Sequence, residues 1–224
     1  DRLRRFVGLM VLSSIGTLLI AIAILSIPAW AAVLYYLVHS TLIAAAFYLF
    51  CGWMTFQRGS FKDHLKVAPK IKQEKAAALT YFVIAVMMAG LPPFSGFLGK
   101  VFILQASVAT AYQVWIMTII LIVSLLSILA LTRVGFILFW RSSVPESNAN
   151  WEAYATYQTM PDHAPKRSNH AIYIILTGLV TYVLFAAPIH NYALATAQQM
   201  QNHALYNQVI LKNDAQGRAI SVQP

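Results

Sequence analysis

GLPPFSGFLGKVFIL, residues 90–104, sets Pro92, Pro93, three glycines (Gly90, Gly96 and Gly99) and a single cation, Lys100, among apolar runs at 76–91 and 94–111. Proline has no N–H to give a helix, and its ring clashes with the turn before it, so a helix must end or restart at this pair. Each flanking run is short for a crossing, because a hydrocarbon core of about 30 Å takes about 20 helical residues. Short, interrupted apolar segments are the sequence mark of a discontinuous membrane helix. Gly90, Pro92, Pro93, Gly96 and Gly99 are then the break. Backbone polar groups freed there are tolerated at membrane depth only where protein buries them or a wet cavity meets them.

The rest of the chain has the same character. Of its 224 residues 59% are hydrophobic and 10% charged, against about 25% charged in a soluble domain. That much apolar surface cannot be hidden inside one globule, so lipid is the solvent of its outside. Uncharged runs occur at 6–29 and 31–56, and the longest, 114–140, is interrupted only by Arg133. A last run at 171–189 is closed by Pro188. The fold expected is an all-α, polytopic membrane helical bundle of about six transmembrane segments, with a discontinuous helix near the Gly/Pro stretch. Residues 1–141 form one helical unit, 142–169 a polar loop, 170–190 the final transmembrane helix and 191–224 a polar tail that begins as an interfacial helix. The opening DRLRR resembles the start of a secretory signal, but the apolar run behind it exceeds the roughly 7–15 residues of a signal core. It reads as a true span, and the chain as the C-terminal part of a longer one.

The net charge of +9 suggests nucleic acid until its distribution is considered. The cations gather in short polar segments such as 57–75, as they do in loops at an anionic membrane surface. No basic–aromatic interleaving marks a nucleic-acid platform. The positive-inside rule places 1–5 and 57–75 together in the cytoplasm. The single cysteine, Cys51, permits no intramolecular disulfide, and no Cys/His spacing suits a metal. No phosphate loop, dinucleotide fingerprint or zinc-protease helix occurs. The sequence therefore indicates a transporter subunit, with no cofactor and no enzyme activity.

Two titratable side chains lie at membrane depth. Lys100 falls about 12 Å beyond the proline pair. Either it titrates within a proton path, since a buried lysine is costly as a cation, or its stem snorkels to an interface. His39 lies mid-span in 31–56 with Tyr35 one turn before it and Ser40 and Thr41 beside it. It is either a relay, imidazole being able to take and give protons near neutrality, or a packing histidine bonded to a neighbouring helix. Ser13, Ser14 and Thr17 either bond back to carbonyls one turn earlier or line a water path. Arg133 reads as an anchor or ion-pair partner, and Lys62, Lys66, Lys70 and Lys72 as a solvated or lipid-facing group. His64, His163, His190 and His203 fall in loops or the tail and give no site signal. No acidic residue lies in any span, so a sodium site would have to draw its carboxylates from elsewhere.

GLPPFSGFLGKVFIL (90–104), YYLVHSTLIAAAFYLF (35–50) and DRLRRFVGLMVLSSIGTLL (1–19) together resemble the antiporter-like membrane subunits shared by respiratory complex I and the Mrp-type multisubunit sodium/proton antiporters. SSIGTLL and YYLVHSTL look most like the D subunits of the Mrp type. The resemblance spans roughly 1–140 and implies two five-helix inverted repeats, of which this chain supplies the second. It implies that Lys100 is the lysine of the second discontinuous helix and His39 the histidine relay. Other membrane subunits, lipid, protons and monovalent cations would be the partners, in a bacterial inner membrane. Two features depart from the pattern. Ile43 stands where complex I subunits often carry a second ionisable residue, and the glutamate–lysine pair of the first repeat is absent. The alternatives are a proton-pumping subunit of NADH-quinone oxidoreductase or a membrane hydrogenase, and a structural subunit that conducts nothing.

Overall fold

Ser26 opens the longest helix. Its hydroxyl accepts the N–H of Ala29 at 3.3 Å, and Pro28 sits in the first turn, where no intrahelical N–H is needed. The structure, a computed structural model, describes residues 2–66, 68, 71, 73–140, 159 and 166–201. Along these run α1 (Leu3–Ala23), α2 (Ile27–Gln57), α3 (Glu74–Ala89), α4 (Ser95–Ser107) and α5 (Gln113–Gly135). A π-helical turn (Phe136–Trp140) follows α5, and then come α6 (Lys166–Leu184) and α7 (Ala186–Gln201). No strand occurs among the described residues, so the bundle is all-α as expected.

α2 is the axis: α1, α3, α4, α6 and α7 pack on it, while α5 packs on α3, α4 and α1. Leu3–Ala23, Ile27–Gln57 and Gln113–Trp140 are each long and apolar enough to cross a membrane. Leu9, Leu12, Leu19, Leu121, Leu125 and Leu126 expose their side chains along α1 and α5, which is stable only against lipid. α3 and α4 have 16 and 13 residues. They follow α2 in sequence along its length: Tyr81 meets Phe47 and Phe50, then Ser95 meets His39, then Phe102 meets Tyr35. Together they trace one broken path antiparallel to α2, with the break at the level of His39.

The core is aromatic. Phe47, Phe50 and Trp53 of α2 are buried against Tyr81 of α3. The Tyr81 hydroxyl donates to the Leu131 carbonyl of α5 at 2.7 Å. Gly135 admits that ring, since a Cβ there would stand 2.7 Å from its Cε1. Tyr81→Phe keeps the packing and loses the bond. It is expected to lower stability by about 1 kcal/mol, read as a lower thermal midpoint of the assembled protein.

At the end of α2, Arg58 turns inward. It is 2% exposed and donates to the carbonyls of His64 at 2.6 Å and Lys66 at 2.8 Å. Burial pushes its guanidinium down to about 10, with nearby Asp63 opposing, so it is charged at neutral pH. The start of the chain is fastened to this loop. Leu3 N–H donates to the Asp63 carbonyl at 2.7 Å, Arg2 pairs with His64, and Arg4 approaches the Asp63 carboxylate at 4.0 Å. The two cationic segments thus share one end of the bundle.

The last part differs from expectation. In place of one closing helix over 170–190, α6 ends at Leu184 and α7 leaves it at 79°. Pro188 does not close a span. It falls in the first turn of α7, where a missing N–H costs nothing, and His190 lies within that helix. Lys70, Lys72, His163, His203, most of the 142–169 loop and the tail from 202 lie outside the described residues.

Candidate functional site

The break is built by the end of one helix and the start of another. Gly90 closes α3 in the left-handed conformation, φ 75°, which glycine adopts without strain. Its N–H bonds to the Met87 carbonyl and that of Leu91 to the Val86 carbonyl, the usual glycine closure of a helix. A cis bond joins Pro92 to Pro93, and α4 starts at Ser95.

The carbonyl of Ala89, the last residue of α3, accepts from the Lys100 ammonium at 2.8 Å. Ser124 of α5 accepts a second hydrogen bond from it at 2.9 Å. Lys100 is therefore turned back onto the C-terminal end of α3, where free carbonyls carry partial negative charge. His39 meets the other half of the break. It is 2% exposed, and its Nδ1 shares a hydrogen bond of 2.8 Å with the hydroxyl of buried Ser95 at the start of α4.

The three glycines of the stretch make the room. A Cβ at Gly90 would stand 3.1 Å from Lys100 Nζ. At Gly96 it would lie 2.6 Å from His39 Nε2 and 2.7 Å from the Met87 carbonyl oxygen, and at Gly99 it would be 2.7 Å from Tyr36 Cδ2. Tyr36 spans the interval between the two titratable groups. Its ring lies 5.8 Å from that of His39, and together with Ser14 of α1 it borders Lys100.

Lys100, Tyr36, Ser13, Ser14, Thr17 and Ser127 line a small polar cavity of about 10 Å³, the lower limit for one water molecule. Ser13, Ser14 and Thr17 are thus brought to Lys100, although Thr17 also bonds back to the Ser13 carbonyl at 3.2 Å. Tyr35 is not there. It faces Phe102 and Tyr182 on another side of α2. Thr41 is exposed and bonds to the Leu37 carbonyl. Arg133 is exposed near the end of α5 and joins none of these groups. Tyr36, Ser95, Ser124 and Ser127 were not singled out from the sequence. Ser95 could have been found as the first polar residue after the proline pair, whereas Ser124 and Ser127 carry no local signal.

Chemically, the site sets an amine against one half of the broken helix and an imidazole against the other, with hydroxyls nearby that both donate and accept. Such groups can take up and release protons. Among the described residues no group of three or more His, Cys, Asp or Glu could hold a metal ion.

Residues 2–127 match the family described as NADH:quinone oxidoreductase/Mrp antiporter, transmembrane. The chain is 26% identical, over 93% of its length, to the D subunit of a Na(+)/H(+) antiporter from Alkalihalophilus pseudofirmus, covering 40% of that protein. It is 29% identical over 58% of its length to the D subunit of a Na(+)/H(+) antiporter from Bacillus subtilis, covering 26% of it. It is 32% identical over 62% of its length to the D subunit of a probable K(+)/H(+) antiporter from Rhizobium meliloti, covering 31% of it. The chain thus spans between a quarter and two fifths of the length of these relatives.

Proposed function

We propose, because this chain belongs to the NADH:quinone oxidoreductase/Mrp antiporter transmembrane family, that it forms a proton-translocating part of a membrane subunit in a multisubunit monovalent cation/proton antiporter. The observation that carries this reading is that Lys100 bonds to one half of the broken helix, at Ala89, and His39 of α2 to the other, at Ser95, with Tyr36 and a hydroxyl-lined cavity beside them. A proton on Lys100 is held by the Ala89 carbonyl and Ser124 and released through the hydroxyl-lined cavity. His39 and Ser95 serve the other half of the path. Apart from Glu74 at the outer start of α3, no acidic residue lies in α1 to α7. The exchanged cation therefore finds its carboxylate ligands elsewhere, in the rest of the subunit or in other membrane subunits. The setting is a multi-pass position in a bacterial inner membrane, with lipid around α1 and α5.

The test uses inverted membrane vesicles that carry the complete complex. Adding sodium or potassium to vesicles holding a pH gradient is expected to collapse it. A complex that assembles yet answers neither cation, and moves protons only when an electron donor is supplied, would move the chain to the redox branch of the family. Within the active complex, His39→Gln retains a hydrogen bond to Ser95 but cannot hold a charge. It is expected to slow exchange by about tenfold, the low side of what a positioned proton carrier contributes, while His39→Ala slows it further.

A further inference from the structure

Beyond the Lys100–His39 axis, a cluster where α2, α4 and α7 meet has two buried polar atoms without partners. Tyr35 of α2 is 1% exposed, and its hydroxyl oxygen is buried with no hydrogen-bond partner. His190, at the start of the second turn of α7, has its Nδ1 in the same condition, while the residue as a whole is partly exposed. The two lie about one aromatic ring: Phe102 of α4 stacks on His190 at 4.1 Å, and Tyr35 meets Phe102 edge-on at 5.1 Å. Tyr182 of α6 lies 4.7 Å from the Tyr35 ring, but its own proton is given to the Tyr35 carbonyl at 3.1 Å. Two buried orphans against one ring are an exception to the rule that buried polar groups are paired. The common remedy is a bound water with two or more polar partners.

We infer that Tyr35 and His190 share a bound water at the junction of α2, α4 and α7, and that it forms a second proton branch entering from the bend between α6 and α7. This rests on the proton-translocating reading above. One hydroxyl and one imidazole nitrogen are too few ligands for a metal cation but suit a water, which accepts from His190 Nδ1–H and donates to the Tyr35 oxygen. A proton arriving from outside binds the far nitrogen of His190, and Nδ1 releases its own to the water. The water passes a proton to the Tyr35 oxygen, which gives up its hydroxyl proton toward His39, one helical turn along α2. Tyr35 from α2 and Tyr182 from α6 are the titratable groups facing His190. α4 contributes only Phe102, since its one cation, Lys100, is engaged by α3 and α5. The bend of 79° is what returns α7 to α2, where Ala193 and Ala197 pack on Ala31.

Tyr35→Phe and His190→Gln in the complete complex separate the outcomes, with assembly checked by co-purification. A bound water predicts that Tyr35→Phe lowers the thermal midpoint, because the water loses its acceptor. It also predicts several-fold slower exchange in each variant and a double variant no slower than the worse single one. A raised midpoint with unchanged exchange would mean that the hydroxyl was a true orphan, and would overturn the inference. A lowered midpoint with normal exchange, or additive losses in the double variant, would overturn the branch. Lys100→Ala in the same vesicles keeps the two proposals apart. If it exchanges normally, the parent reading fails. If it is inactive while Tyr35→Phe and His190→Gln are normal, only the branch fails.

Discussion

Lys100→Ala, in a complex that still assembles, is expected to reduce cation-driven collapse of a pH gradient by about a hundredfold or more. The alanine removes the amine that the Ala89 carbonyl and Ser124 both bond, leaving the end of α3 without its cation. Packing changes little, because the side chain borders a cavity of about 10 Å³ that water can extend into. Lys100→Arg separates charge from proton release. Its guanidinium keeps a cation against α3 but does not give up its proton in the working range, and it must fit a niche where Gly90 already approaches the ammonium. An assembled but inactive Arg variant would show that the amine must shed its proton. An Arg variant that exchanges normally would reduce Lys100 to a fixed charge, and normal exchange in the Ala variant would return it to a snorkelling cation beside a helix break.

Gly96→Ala is expected to be nearly as damaging, for a different reason. The added methyl would lie 2.6 Å from the His39 ring and 2.7 Å from a backbone carbonyl of α3. No side-chain rotation relieves the second contact, so α3 and α4 must separate. Overpacking of this kind costs about 1–3 kcal/mol, and here the strain falls on the hydrogen bond between His39 and Ser95. Exchange should be lost even in protein that assembles, together with a lower thermal midpoint. Gly16→Ala and Gly52→Ala are the controls. Their methyls meet nothing within 4 Å, so both should be neutral, or stabilising by about 0.5–1 kcal/mol through helix propensity. Equal damage at all three positions would show that close packing at Gly96 is not the cause.

The broken helix was legible because proline and glycine act through the local backbone, whatever surrounds them. Lys100 and His39 were legible because a titratable side chain in an apolar run is conspicuous by itself. The choice between Tyr35 and Tyr36 was not. Adjacent residues on a helix point about 100° apart, and which one faces α1 is settled by how α4 seats on α2, through a methyl missing at Gly99. Ser124 was hidden for a related reason, since a serine in an apolar run looks the same whether it bonds to its own helix or to an amine on another. The bend at Phe185 was read as a helix end at Pro188 because proline marks a helix start as readily as an end. The orphaned atoms of Tyr35 and His190 depend on three helices meeting at one ring, which no local pattern encodes.

α1 and α2 are fastened at both ends. A turn of three residues joins them on one side, and on the other Leu3 and Arg2 are bonded to the loop that Arg58 holds to the end of α2. The pair is a closed hoop. Sliding one member past the other by a single turn, about 5.4 Å, would break every one of those ties at once. α4 is not closed into such a hoop: it is tied to α2 by the Ser95–His39 bond and bounded by the proline pair before it and an irregular turn at 108–112 after it. In mechanical terms the hoop is a rigid frame, carrying Ser14, Tyr36 and His39 at fixed heights. A shift of α4 along this frame would have to break the Ser95–His39 bond first.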